Sequence, residues 1–211
     1  MNANMNFPAP LSALAFLGSA AVLLVLVALG IGFWLYRRTK PLKAVAVVGG
    51  VWIASYAAAL LLFSVASLRV VVPRGQEKYF CELDCHLAYS VVGARFEPTQ
   101  DGAGRYIVEL QTRFDPTTIG PMRGDAPLSP NPRSVQLIDD AGHEYHASVV
   151  QGQPLATALR PGESYRTTLV FDVPGQPQRP LLWLHTPAEA PETLMIGNEL
   201  SPWHRKVYLQ L

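Results

Sequence analysis

Residues 11–36 read LSALAFLGSAAVLLVLVALGIGFWLY and carry no charged side chain. A helix rises about 1.5 Å per residue and a bilayer's hydrocarbon core is about 30 Å thick, so roughly 20 apolar residues cross it. This run is longer than that, and so is a second one, Ala44 to Leu68. Between them lies RRTKPLK (37–43), whose Arg37, Arg38, Lys40 and Lys43 are all the cations of the first 68 residues. The pattern predicts a transmembrane hairpin over 11–68, with spans 11–36 and 44–68. A cleavable signal peptide would want a basic start and a shorter apolar core, and Met1 to Pro10 contains neither Lys nor Arg.

Cation-rich loops stay in the cytoplasm, which fixes the orientation. The loop 37–43 is then cytoplasmic, while the tail 1–10 and everything from 69 to 211 lie on the far side, N-out and C-out. Phe33, Trp34 and Tyr36 sit beside Arg37, where a headgroup-level aromatic belt is expected. Gly50, Ala54 and Ala58 recur every four residues, a stripe expected to pack against the first span. Neither span holds an acid, a base or a histidine, so a proton or ion pathway has no carrier.

The whole chain of 211 residues is close to neutral at +1, but the charges are unevenly placed. After Leu68 there are 13 Lys and Arg against 16 Asp and Glu. A mildly acidic domain outside the cytoplasm is the wrong footprint for nucleic-acid binding.

Beyond Arg69 the texture changes to short alternating runs broken by Gly, Pro, Asn and Asp, the grammar of antiparallel strands. Leu87, Tyr89 and Val91 alternate in a first run, and Tyr106, Val108, Leu110 and Thr112 in a second. Val135 and Leu137 mark a third strand; the turn Asp139-Asp140-Ala141-Gly142 leads to a fourth through Tyr145, Ala147 and Val149. Tyr165, Thr167, Leu169 and Phe171 form a fifth, ended by Pro174. Leu181 to Leu184 is apolar on both faces, as a central strand would be, and Val207, Leu209 and Leu211 close the chain. About seven strands without helical periodicity predict an all-β antiparallel sandwich over 69–211.

The run Leu159-Arg160-Pro161-Gly162-Glu163 leading into Leu169-Val170-Phe171-Asp172-Val173-Pro174, and the closing His204-Arg205-Lys206-Val207-Tyr208-Leu209, resemble the immunoglobulin-like (telokin-like) extracytoplasmic domain of membrane-anchored bacterial proteins of unknown function. The resemblance covers roughly Tyr79 to Leu211 and implies an immunoglobulin-like sandwich on the periplasmic side of a bacterial cytoplasmic membrane. It carries over no catalytic residue.

Chemistry concentrates in Cys81-Glu82-Leu83-Asp84-Cys85-His86, which holds both cysteines of the chain. In an extended strand Cys81 and Cys85 would lie roughly 13 Å apart at roughly 3.3 Å per residue, so cooperation requires the segment to curl. An oxidising compartment and an even cysteine count favour a Cys81–Cys85 disulfide. The alternative is soft-metal binding, copper or zinc, or thiol-redox work, with Cys81, Cys85 and His86 as ligands. The layout is similar to that of cytochrome oxidase subunit II, but Tyr89 and Val92 stand where its copper pattern has His and Met. Cys85-His86 also resembles the tail of a haem-attachment motif, with one residue too many between the cysteines.

Other candidates are weaker. His143 and His146 read as exposed strand histidines, and His143-Glu144-Tyr145-His146 lacks the spacing and helix of a metalloprotease motif. No Gly-x-Ser-x-Gly elbow or phosphate-cradling glycine loop occurs. Asp115 to Pro132 is a long loop with five prolines and Arg123-Gly124-Asp125 near its middle, a place for protein contact. The expected function is therefore a non-enzymatic, membrane-tethered interaction or accessory module whose partners are the lipid bilayer and another envelope protein.

Overall fold

In the computed structural model, residues 2–81, 84–99, 102–120, 123–187 and 191–211 are described. Glu82 and Leu83 of the cysteine segment, and Pro121 of the proline-rich loop, fall outside them. The chain divides into two compact units, one containing residues 5–67 and 191–205, the other 2–4, 68–187 and 206–211.

The first unit is built on α1 (Ala9–Leu35) and α2 (Thr39–Val65), both long and apolar enough to cross a membrane. α2 begins five residues before the apolar run, because a helix does not stop where its side chains become charged. Pro41 is tolerated there, in the first turn, where its missing N–H costs no intrahelical bond. The turn between the helices is correspondingly tight, with Arg37 at φ 51°. The helices meet through Gly30 against Leu42 and Val45, and Gly49 against Leu26. The stripe Gly50, Ala54 and Ala58 does not serve this contact: all three are exposed, and nothing lies within 4 Å of a Cβ placed on Gly50. The neighbouring face, one residue back at Gly49, is the one that packs.

Residues 191–205 return to this unit without forming a long element, their only helix being the short 3-10 turn Glu192–Leu194. Asn6 N–H donates to Gly197 O at 2.9 Å, and Met5 pairs with Asn198 as an isolated bridge. A side chain at Gly197 would meet Phe7 Cβ at 2.5 Å, and φ there is +78°, so only glycine fits.

The second unit holds two mixed sheets. Six strands run β1 (Asn2–Ala3), β3 (Lys78–Phe80), β4 (Leu87–Pro98), β5 (Gly104–Phe114), β9 (Ser164–Val173), β8 (Val149–Gly152). Five run β2 (Val70–Val72), β11 (Val207–Gln210), β10 (Leu181–His185), β6 (Ser134–Ile138), β7 (Glu144–His146). β1 is parallel to β3 and β2 to β11; the remaining pairs are antiparallel. β10 lies in the middle of its sheet, as its apolar run implies.

The fourth expected strand is in fact two. After Asp139–Gly142 turns the chain, with Gly142 at φ +87°, Tyr145 pairs with Leu137 in one sheet. Ser148 then donates its N–H to Val170 O at 2.8 Å, and Val149–Gly152 joins the other sheet against β9. Tyr89, Leu110 and Phe171 from the six-stranded sheet and Val72, Leu182 and Leu209 from the five-stranded one belong to a single buried cluster. Each such side chain contributes roughly 1.5–3 kcal/mol by leaving water. Within this core sits a lysine: Lys78 is fully buried, and its Nζ donates to Leu184 O at 2.7 Å and Val207 O at 2.8 Å, tying one sheet to the other.

Candidate functional site

The antiparallel pair β3/β4 ends at Phe80 opposite Leu87, and residues 81–86 form the link that joins the two strands in sequence. Cys81 and Cys85 close it as a disulfide with their Cα atoms 4.2 Å apart, so the segment curls as cooperation demands. Cys81 is buried and Cys85 half-buried. Cys81 N–H donates to Asn4 Oδ1 at 2.8 Å, which ties the start of the loop to the N-terminal strand.

His86 follows directly and is buried against Phe114, ring centroids 5.3 Å apart. Thr118 Oγ1 donates to Asp115 O at 2.8 Å and so offers its lone pair to His86 Nδ1, 2.7 Å away. His86 Nε2 lies 2.9 Å from Asp84 Oδ2. Both ring nitrogens are thus engaged by oxygen atoms, and both sulfur atoms by each other. The fold brings Cys81, Cys85 and His86 together, with the two sulfur atoms joined to each other and so carrying no thiolate. Among the described residues no group of three or more His, Cys, Asp or Glu is arranged to hold a metal ion.

Beside this link lies a polar network that the linear sequence hides. Tyr79, Ala88 and Arg113 occupy one row across β3, β4 and β5. The small Ala88 leaves the flanking side chains room to meet, with Arg113 Nη2 donating to Tyr79 Oη at 3.3 Å. Arg113 also donates twice to Glu77, at 2.6 and 2.7 Å, and once to Asp115 at 3.1 Å. Tyr79 Oη lies 2.6 Å from Asp115 Oδ2. Asp115 Oδ1 accepts from the N–H and hydroxyl of Thr117, capping the 3-10 turn Pro116–Thr118.

The hydrogen bond from Tyr79, with those from Thr117 and Arg113, overcomes burial and holds the Asp115 carboxyl well below the usual carboxylate range. Arg113 draws Glu77 down in the same way. Burial, then the two facing carboxylates, push the Tyr79 phenol above its ordinary value. Every member therefore stabilises the protonation state its neighbours require. Such a closed network pins strands together and leaves no group poised to exchange a proton near neutrality. The sequence signal available was the cap Asp115-Pro116-Thr117-Thr118, with Arg113 and Asp115 two residues apart on one face.

A cavity of about 260 Å³ opens next to the link, walled by Phe80, Asp84, His86, Leu128, Asn131 and Arg133. The Arg133 guanidinium covers the Phe80 ring at 4.4 Å. Its volume lies below the roughly 300–1,000 Å³ of ordinary small-molecule sites. His143 is exposed and bonded to Asp139 at 2.8 Å, and His146 is exposed as expected. His185 is buried, its ring stacked on Trp183 at 3.8 Å.

The free edge of the six-stranded sheet differs from all of this. Among the described residues β8 pairs with β9 alone, and all four of its residues are exposed, Val149 at 43% and Val150 at 55%. No protein-family model matches the chain, and comparison with curated proteins and with solved structures finds no match.

Proposed function

We propose that the chain is a membrane-tethered module whose β unit is an immunoglobulin-like sandwich on the periplasmic side of a bacterial cytoplasmic membrane, N-out and C-out. Its role is non-enzymatic contact with another envelope protein. The observation that carries this reading is β8, an edge strand with an open ladder of backbone groups and two exposed valines. Edges of this kind take up a partner's strand, or are blunted by charge, Pro or bulges when they do not; Val149-Val150-Gln151-Gly152 carries no charge and no proline. The cation-rich turn after α1 supports the orientation, and the strand and turn grammar supports the family resemblance.

A photo-crosslinking residue at Val150 of the full chain in its native membrane tests this. A discrete adduct is expected from Val150, absent from a control at exposed Arg105. Equal labelling at both positions would remove the edge from consideration. The partial exposure of Cys85 favours a second reading, copper or zinc binding or thiol exchange at Cys81, Cys85 and His86 after reduction of the disulfide. Stoichiometric metal on the reduced full chain, lost in Cys85→Ser, would establish it.

A further inference from the structure

We infer that residues 191–205 form an interfacial anchor that places Leu194 and Trp203 in the outer leaflet of the bilayer, at the boundary between headgroups and acyl chains. The inference rests on the reading of α1 and α2 as membrane spans and goes beyond it, because it assigns a lipid-contact surface to a segment distant in sequence with no spanning character.

Depth comes first. If the hydrocarbon begins just after Lys43, the last cation of the turn, its outer boundary falls roughly 20 residues later, near Phe63. Tyr56 then lies roughly 10 Å beneath that boundary. Its hydroxyl donates to Leu194 O at 2.8 Å. A carbonyl within reach of that hydroxyl lies within the outer leaflet, not clear of the membrane. Two residues on, Ile196 O accepts from Ser12 Oγ at 2.9 Å, in the first turn of α1 and hence at headgroup level. The segment therefore descends along the hairpin as it runs back from Ile196 to Leu194.

Irregular backbone is tolerated near hydrocarbon only where protein satisfies its polar groups. That condition is met closely here. Leu194 N–H donates to Pro191 O at 2.8 Å, Asn198 N–H to Met195 O at 3.2 Å, and Ser201 Oγ also donates to Met195 O at 2.6 Å. Farther along, Arg205 N–H donates to Ser67 Oγ at 2.7 Å. Ser12 in the first turn of α1, Tyr56 within the outer half of α2 and Ser67 just after α2 each donate to or accept from this segment.

Two large apolar side chains remain outward, and the exposed cation Arg205 suits the headgroup level. Leu194 is 45% exposed and Trp203 75% exposed, the latter in a left-handed backbone conformation at φ 61° that a tryptophan adopts only when its surroundings enforce it. A tryptophan ring at the headgroup boundary is where such side chains concentrate. The occupant is lipid because the segment is bonded at Leu194 and Ile196 to two helices whose exposed side chains are apolar and already committed to lipid on this reading.

Fluorescence quenching of the full chain in phosphatidylcholine vesicles tests the anchor, with Trp203→Phe and Trp52→Phe variants isolating each contribution by difference. The Trp203 component is expected to be quenched by a nitroxide at a shallow acyl position about twofold more than by one near the bilayer centre, and little by aqueous iodide. The Trp52 component, from within α2, is expected to respond to the deep nitroxide. If iodide quenches Trp203 and no lipid nitroxide does, while Trp52 still responds, the anchor is wrong and the spans stand. If neither tryptophan responds to any lipid label, the span reading fails and the anchor with it.

Discussion

Leu24 and Leu137 are the same side chain under opposite conditions, one 71% exposed in α1 and the other fully buried in β6. By the standards of a water-soluble protein the helical unit is inside out: most of its leucines and valines face away from the chain, while those of the β unit face a common core. On the proposed membrane-tethered reading the difference is one of solvent: apolar side chains in the β unit gain by leaving water for each other, whereas those of the hairpin gain by leaving water for lipid, with little help from packing. Tolerance to substitution should follow solvent, not exposure.

The largest test takes leucine to alanine in both units. Leu137→Ala leaves a cavity in the shared core and should cost about 2–5 kcal/mol. Leu24→Ala should change stability by far less, since lipid fills the space. Denaturant unfolding of the full chain in micelles, followed through buried Trp183, measures the first, and thermal loss of helical circular dichroism the second. Equal costs would erase the distinction. The converse substitution sharpens it: Leu24→Asp, harmless on a water-exposed helix, should cost about 3 kcal/mol of insertion free energy here. A membrane-insertion reporter fused after Val65 would show the drop, and unchanged insertion would argue that α1 does not meet lipid.

Next in size is the disulfide. Its loop spans only four residues of sequence separation, and chain entropy alone assigns such a closure about 2 kcal/mol. Cys81→Ser with Cys85→Ser should lower the unfolding midpoint of the β unit and leave helical content unchanged. A loss confined to the helical signal would mean the link supports something other than β3/β4.

These features were unequally legible in the sequence. The spans were readable because one property, twenty or more uncharged apolar residues, decides them. Their exact ends were not, since Thr39 to Lys43 can be helical without being apolar. Strands of ten or more residues such as β5 and β9 announced themselves by alternation, while Asn2–Ala3 and Val70–Val72 are too short to show a period. The switch of sheet at Ser148 was invisible because alternation continues through Tyr145, Ala147 and Val149 whichever sheet receives them. The curl joining Cys81 to Cys85 could be required but not demonstrated. The network of Glu77, Tyr79, Arg113 and Asp115 spans nearly forty positions and depends on an alanine whose importance lies in being small. Likewise, nothing local marks Lys78 as buried, because its partners are backbone carbonyls.

The smallest effect separates the units by charge. α1 and α2 carry no Asp or Glu, whereas Asp115 and Glu77 in the β unit are held below their ordinary values by Tyr79 and Arg113 respectively. A carboxyl whose folded pKa is depressed contributes stability above its unfolded value, about 3.9 for Asp and 4.3 for Glu, and loses it as pH falls through the folded pKa. The β unit should therefore weaken from about pH 4 downward while the helical signal stays level. Asp115→Asn removes the charge and keeps the shape, so wild type should be the more stable near neutrality and the two should converge as the acid is protonated. A gap independent of pH would mean that Asp115 works only as a hydrogen-bonding cap for Pro116–Thr118, and that the contrast between the units is one of packing alone.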